Sequence, residues 1–246
     1  MKNRKFYVVL AAILMLACGY AKAQTDTFLN LGVSLPSGNF AEGDESKFAL
    51  LDESKEGGAG IGFNLGFKFK FPTNADGLGV LLTIDGIYNG LNKDIKDYFE
   101  DYRDGLEDYG DVTLRKPCYI NVPVMLGLNY CYDISDSFGI YGEAGLGADA
   151  RFITNYKTEV EDRNFEISQK TTYDPAVAFA FQLGAGVLIN DRFTIGLNFY
   201  NLGSAKVKGK YTLKEKEGSY SESEKENFKL KSLSTSMILL RLGIRL

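Results

Sequence analysis

The chain has 246 residues, with 28 Lys and Arg, 32 Asp and Glu and no histidine, a length that suits one large β domain or two small ones. Its acidic balance argues against nucleic acid as a partner. The lack of histidine excludes Ser-His-Asp and Cys-His catalysis and any His-ligated metal site. We therefore predict no enzymatic activity, no catalytic residue, no bound metal and no other cofactor.

The first 23 residues have the pattern of a secretory signal peptide. A basic start precedes an apolar stretch that is too short to span a bilayer as a helix. The small residues of Ala21-Lys22-Ala23 predict cleavage between Ala23 and Gln24. Lipoprotein processing at Cys18 is the alternative. Residues 1–23 are thus predicted to be a signal peptide and residues 24–246 the mature domain.

Eight later stretches alternate large apolar residues with small or polar ones. In residues 61–71, IGFNLGFKFKF, the odd positions are all apolar and the even ones include Lys68 and Lys70. Because a β-strand sends alternate side chains to opposite faces, this pattern predicts strands with one apolar and one polar face. The eight predicted strands are residues 29–35, 61–71, 78–88, 120–130, 138–152, 177–189, 193–199 and 238–246.

The connections between these strands alternate in length. Every second one, beginning with residues 72–77, is short and rich in the residues that hairpin turns prefer. The other four, residues 36–58, 90–116, 153–174 and 204–231, are long and charged. An even strand count with this alternation is typical of a bacterial transmembrane β-barrel. We predict an all-β, eight-stranded, antiparallel up-and-down barrel with four long extracellular loops and short periplasmic turns.

The apolar face of the predicted barrel has two possible environments. A soluble lipocalin-like barrel would turn the apolar face inward, around a ligand. The lumen of an eight-stranded barrel is barely wide enough for modest side chains, and the glycine-rich polar face fits it better than the phenylalanines do. We therefore predict that the phenylalanines face lipid and that the polar face lines the lumen.

The inward-facing charged residues are then the candidate site. We predict a lumen charge network that pairs its members as a salt-bridged plug, with Asp85 on the neighbouring strand as the partner of Lys68. A paired-carboxylate site or a selective pore is the functional alternative. The predicted members are Lys68, Lys70, Asp85, Glu143, Asp149, Arg151, Arg241 and Arg245.

Two of the long loops have distinctive sequences. Residues 93–111 are acidic and place aromatic residues at helical spacing, which predicts a short amphipathic helix at the barrel rim that Gly110 could end. Its carboxylates do not match an EF-hand, and a solvated acidic face is favoured over calcium binding. The last loop has eight lysines and five glutamates between Ser204 and Lys231. Its lysines could meet the acidic loop over the mouth or contact lipid phosphates.

Cys118 and Cys131 are the two cysteines that follow the predicted cleavage site. They flank residues 120–130, the fourth predicted strand. If both lie on one continuous strand, 13 residues at ~3.3 Å each separate them by roughly 40 Å. A disulfide cannot span that distance. We predict two free thiols.

Two short motifs resemble a known family. Tyr119-Ile-Asn-Val-Pro-Val-Met-Leu126 resembles the Tyr-x-x-x-Pro-Leu-Leu strand of the outer-membrane β-barrel family that is widespread in Bacteroidota. Arg241-Leu-Gly-Ile-Arg245 is similar to the arginine-containing last strand of that family, although Leu246 replaces its usual terminal aromatic residue. The resemblance implies a small OmpA/OmpX-like or opacity-type barrel in the outer membrane of a Gram-negative bacterium.

The same resemblance implies partners and a role. The partners would be outer-membrane lipid, lipopolysaccharide and the assembly machinery that reads the C-terminal strand. The role would be structural or surface-interactive, through the extracellular loops. A narrow passive porin-like channel for small solutes and a soluble lipocalin-like carrier are the alternatives.

Overall fold

The computed structural model describes residues 25–43, 56–162, 165–218, 220–229 and 232–246. The predicted signal peptide, its cleavage site and Cys18 lie outside these residues, so the signal peptide stays a prediction. In chain order the elements are β1 (Asp26–Ser37), a 3-10 turn (Gly38–Phe40), β2 (Ala59–Pro72), β3 (Leu78–Leu91), α1 (Lys93–Glu107), β4 (Asp111–Arg115), β5 (Tyr119–Ser135), β6 (Phe138–Ile153), β7 (Tyr156–Glu161), β8 (Phe165–Tyr173), β9 (Ala176–Ile189), β10 (Phe193–Ala205), β11 (Lys208–Glu217), β12 (Tyr220–Lys229) and β13 (Leu233–Arg245).

Eight of the strands form a closed antiparallel barrel, in the order β1-β13-β10-β9-β6-β5-β3-β2. The ring closes where the first and last strands pair, from Phe28 opposite Arg245 to Ser37 opposite Ser236. Closure leaves no strand edge, so every strand finds a hydrogen-bonding neighbour on both sides, as hydrocarbon requires. The predicted eight-stranded barrel is confirmed, and each predicted strand corresponds to one strand of the ring.

Burial along the strands follows the alternation of the sequence. On β2, Phe63 and Phe67 are 56% and 43% exposed, whereas Lys68 between the apolar positions is 2% exposed. The apolar residues therefore cover the outside of the barrel, where lipid lies, and the polar residues line the lumen. A lipocalin-like barrel would show the reverse burial, so that alternative is wrong.

The short connections are tight hairpin turns at one end of the barrel. Asn190 and Asp191, between β9 and β10, both have positive φ, 51° and 54°, the conformation of a two-residue type I′ turn. Gly77, between β2 and β3, also has positive φ. In outer-membrane barrels the short turns are periplasmic and the long connections extracellular.

The long connections are more ordered than the sequence suggested. The predicted helix is confirmed as α1, which begins after Asn92, whose side chain accepts a hydrogen bond from the Ile95 amide. Among the described residues, no helix is long and apolar enough to cross a membrane. The four long connections are present as predicted, but much of their length is regular structure that was not predicted, because β4, β7, β8, β11 and β12 form a five-stranded extracellular sheet.

An apolar cluster lies at the extracellular mouth of the barrel. Ile95 and Phe99 of α1 are buried there with Phe40 and Tyr156, and Leu202 and Leu233 join them from the extracellular ends of barrel strands. The rings of Phe99 and Tyr156 lie 5.4 Å apart. The cluster covers the lumen and holds the helix and the sheet to the barrel.

The two cysteines are free, as predicted. Cys118 comes directly before β5, on the extracellular side, where its Sγ lies 3.3 Å from Thr154 Oγ1. Cys131 lies near the periplasmic end of the same strand, with its Sγ 3.7 Å from Asp133 Oδ1. The two thiols therefore lie on opposite sides of the membrane, and labelling them distinguishes the two ends of β5.

Replacing Phe67 by Lys should impair insertion, because it places an ammonium group in hydrocarbon near the middle of a membrane strand, at roughly 2–4 kcal/mol. We expect a lower midpoint in urea unfolding from vesicles and less heat-modifiable protein on gels. Tyr220→Lys, at an exposed extracellular position, is the matched control and should insert normally. Normal insertion of Phe67→Lys would contradict the lipid-facing assignment.

A membrane-impermeant maleimide applied to intact cells should label Cys118 in preference to Cys131, because only Cys118 lies on the extracellular side. Mass spectrometry of the labelled peptides measures the ratio, and Cys118→Ser should abolish the signal. Preferential labelling of Cys131 would show that β5 runs in the opposite direction.

Candidate functional site

The first charged group in the lumen joins β2 to β6 and β10. Lys68 Nζ donates to Glu143 Oε2 at 2.6 Å, and both side chains are buried. Asn198 Nδ2 donates to the other carboxylate oxygen, Oε1, at 2.5 Å. The prediction that Lys68 pairs with Asp85 is wrong. In so narrow a barrel a long lysine side chain reaches across the lumen, and the neighbouring-strand carboxylate has a different partner.

That partner is Arg241, on β13. Its Nη2 donates to Asp85 Oδ2 at 2.9 Å and to Tyr200 Oη at 2.7 Å. Tyr200 Oη in turn donates to Asp85 Oδ2 at 2.8 Å. The three side chains come from three different strands, and all are buried. The group therefore connects β3, β10 and β13 through the lumen.

A third group lies close to the extracellular mouth. Arg151 Nη1 donates to the Leu233 carbonyl oxygen at 2.7 Å, and its Nη2 lies 3.4 Å from Asp149 Oδ2. Arg151 Nε donates to Asn121 Oδ1 at 3.2 Å, and Nη2 also reaches the Leu202 carbonyl oxygen at 3.2 Å. One guanidinium thus uses its fixed fork of donors to join four strands beneath the apolar cluster.

The two remaining predicted members lie apart from these groups, at the periplasmic end. Lys70 is buried but has no ion-pair partner among the described residues, and its ammonium lies 5.2 Å and 5.3 Å from the ring centroids of Phe28 and Tyr141. Arg245 pairs with Asp26, and its side chain is 42% exposed. Both line a groove of about 310 Å³ at the periplasmic end. The structure thus brings six of the eight predicted residues into three buried groups.

Glycines make room for these groups on the lumen wall. A Cβ on Gly66 would lie 2.0 Å from Asp85 Oδ1, and one on Gly184 would lie 2.0 Å from Asn198 Nδ2. Real Cβ atoms do not approach other atoms so closely, so alanine at either position would displace a network side chain. The glycines of the lumen wall therefore leave the space that its long polar and charged side chains occupy.

The described residues contain no group of three or more side chains that could hold a metal ion. The acidic helix α1 uses its carboxylates in surface ion pairs, as in Lys93–Asp97 and Lys116–Glu100. The lumen groups are sealed at the extracellular side, where the Tyr119 hydroxyl donates to the Gly57 carbonyl oxygen and the apolar cluster lies above. Within the three groups, every charged side chain has an oppositely charged partner.

The extracellular sheet is the feature that the sequence reasoning missed. Its inner face contributes Tyr156 to the apolar cluster, and burial raises the pKa of that phenol to about 12. Its outer face carries Glu159, whose pKa is lowered by a hydrogen bond from Lys157. The signal in the sequence was the alternation of lysine and glutamate in residues 208–229, a two-residue period that indicates a strand even where both faces are polar.

Replacing Lys68 by Met should destabilise the barrel by about 3–5 kcal/mol, because it leaves Glu143 buried without its cation. Urea unfolding in vesicles measures the loss. The double variant Lys68→Met/Glu143→Gln should recover much of it, since no charge is then stranded.

Lys70→Met is the matched control, a neighbouring lumen lysine with only ring contacts, and should cost about 1 kcal/mol. Equal losses for Lys68→Met and Lys70→Met would contradict the pairing described for Lys68.

Comparison with known proteins agrees with the fold. The sequence matches the family model of the outer membrane protein beta-barrel domain over residues 8–238. No curated protein matches it. Among solved structures it is similar to Ail, the attachment invasion locus protein of Yersinia pestis, with 14% identity, 90% of this chain and 97% of that chain covered, and a TM-score of 0.38.

Two further structures have comparable similarity. The outer membrane protein OprG of Pseudomonas aeruginosa has 13% identity, 90% and 95% coverage and a TM-score of 0.43. Neisserial surface protein A has 8% identity, 90% and 97% coverage and a TM-score of 0.40. Because the family model spans most of the sequence, this chain belongs to the outer membrane protein β-barrel domain family and is a protein of the Gram-negative outer membrane.

Proposed function

We propose that this protein is a closed barrel that anchors an extracellular structure, with a structural or surface-interactive role and no enzymatic activity. The observation that supports the proposal best is the content of the lumen. Three buried charged groups, centred on Lys68–Glu143, Arg241–Asp85 and Arg151–Asp149, occupy it between the periplasmic groove and the apolar cluster.

The energetics of these groups oppose a conducting lumen. A solute that passed through would have to separate buried ion pairs, and removing one partner of such a pair costs about 3–5 kcal/mol. Because the three groups follow one another along the lumen, a solute would meet this free-energy barrier at each of them. The apolar cluster above Arg151 adds a second barrier, because its residues would have to lose their packing before water could enter.

The finer family assignment is part of the proposal. The Tyr119 to Leu126 segment of β5 and the Arg241 to Arg245 segment of β13 support a place among the OmpA/OmpX-like or opacity-type barrels of Bacteroidota. A role in surface interaction is supported by the extracellular part, where α1 and five strands form an ordered structure rather than short connecting loops. The lack of histidine supports a non-enzymatic role.

Conductance of refolded protein in planar bilayers tests the closed lumen against the narrow passive channel. We expect the wild-type protein to insert without discrete current steps. The double variant Asp85→Ala/Arg241→Ala removes one charged group without stranding a charge, and it should show at most rare small openings because two groups remain. Reproducible current steps from the wild-type protein would overturn the closed-lumen proposal.

A further inference from the structure

The β11–β12 hairpin separates its charges completely between its two faces. Residues that alternate along each strand share a face, and residues opposite each other in the register lie on the same side. One face carries six lysines and no carboxylate: Lys208, Lys210, Lys214, Lys216, Lys225 and Lys229. The other carries five glutamates and no lysine: Glu215, Glu217, Glu222, Glu224 and Glu226.

The face with the lysines, here called the lysine face, continues across the sheet and points away from the barrel axis. The opposite face is the covered one, since Tyr156, Val160 and Thr171 are buried on it. Where β10 leads into β11, Ala205 and Val207 are buried, whereas Lys206 and Lys208 are exposed. The lysine face is therefore the extracellular continuation of the outer, lipid-facing side of the barrel wall.

Like charges lie directly opposite each other on this face. Lys157 is opposite Arg115 on one side and Lys170 on the other, and Lys208 is opposite Lys229. Directly opposed like charges destabilise a strand pair. A bound anion between these cations would reverse the sign of this interaction.

Four carboxylates share the lysine face across the whole sheet. Glu159 bonds to Lys157, and Glu166 lies 4.0 Å from Lys216. Asp111 and Glu161 lie opposite each other on β4 and β7, away from the β11–β12 hairpin. Within the described part of the chain, Lys170, Lys210, Lys214 and Lys225 have no ion-pair partner. These four lysines line an open groove of about 450 Å³. The paired residues Lys157 and Glu159 and the side chains of Ser168, Thr172 and Thr212 complete its lining.

The spacing of the groove defines the chemistry of a ligand. Neighbouring strands lie about 4.8 Å apart, and residues two apart on a strand lie about 6.6 Å apart. The lysines thus form a lattice of point charges that suits several phosphate groups carried on one saccharide. Lysine tails of this length adapt to small differences in phosphate position.

The position of the groove defines the source of that ligand. Lys157 follows the outward-facing, exposed Phe152 of β6 by five residues, so it stands at most about 17 Å beyond the lipid-facing wall. This is the layer directly above the outer leaflet, on the side of the wall that meets lipid. We propose that the lysine face binds the phosphorylated saccharide headgroups of glycolipids in the surrounding leaflet, which deepens the proposed surface-interactive function and rests on it.

The test compares two variants of the refolded full-length protein in nanodiscs. Lys170→Gln/Lys214→Gln/Lys225→Gln removes three unpaired lysines from the groove. Glu215→Gln/Glu222→Gln/Glu224→Gln changes three charges on the opposite face of the same sheet and is the matched control. Heat-modifiable gel mobility shows that both variants fold. The probes are purified lipopolysaccharide, the same lipopolysaccharide after dephosphorylation, and dextran sulfate as a soluble polyanion.

We expect wild-type protein to bind phosphorylated lipopolysaccharide and to lose affinity on dephosphorylation. Each basic residue near an anionic surface contributes about 1 kcal/mol, so the lysine variant should bind on the order of a hundredfold more weakly at low salt. The glutamate variant should stay within about threefold of wild type by the same measure. Hydrogen exchange in β11 and β12 should slow on binding in the wild-type protein but not in the lysine variant.

Three results would overturn the inference: equal binding by wild type and the lysine variant, equal binding of phosphorylated and dephosphorylated lipopolysaccharide, or binding of dextran sulfate alone. The last result would assign the lysine face to a soluble polyanion instead of the leaflet. Conductance is measured independently of these probes, so failure here is distinguishable from failure of the closed-lumen proposal.

Discussion

The structure depends on one constraint, which is that hydrocarbon offers no hydrogen-bonding partner to a peptide group. The pairing of β1 with β13 satisfies the last two strand edges and closes the ring. Closure at eight strands then fixes a narrow lumen, and the alternation of side chains divides each strand into a face for lipid and a face for the interior. The exposed phenylalanines and the buried lysine of β2 are both consequences of this division.

The narrow lumen is filled with polar side chains, whereas the core of a soluble protein is filled with apolar ones. A charge in the lumen has no bulk water, so an opposite charge and hydrogen bonds are what make it tolerable. Lys70, at the periplasmic end, is the exception among the described lumen charges, since it has only ring contacts. Arg241 has Asp85 and Tyr200 as its partners, while Lys68 has Glu143. Glycine at positions such as 66 and 184 supplies the space that these long side chains need. The charged pairs in this interior can therefore form only because the packing of the lumen wall leaves room for them.

The sequence predicted the barrel well because lipid and lumen impose opposite hydropathy on alternate residues. It also predicted α1, whose aromatic residues repeat at helical spacing. It could not predict that Lys68 pairs with Glu143 rather than Asp85, because that choice depends on which residues face each other across the closed ring. It missed the extracellular sheet because lysine and glutamate alternate there with no contrast in hydropathy. Arg245 was placed in the network because its parity is inward, but it lies at the open periplasmic rim, where its side chain meets solvent.

The outer face of the barrel wall meets two environments along its height, and its residues change with them. Within the leaflet the outward residues are apolar, as at Val177 and Phe179 of β9. Above it the outward residues of β11 are mostly lysines, while the opposite face of that strand passes from the buried Gly209 to the exposed Glu215 and Glu217. Above the hydrocarbon, water can hydrogen-bond to exposed strand edges, so the strands there need not form a closed ring. The extracellular strands accordingly form an open sheet. Three buried charged groups fill the lumen, so we expect no binding site within the membrane. The charged face of the extracellular sheet is exposed, and ligand recognition is therefore expected there, with the barrel serving as its anchor.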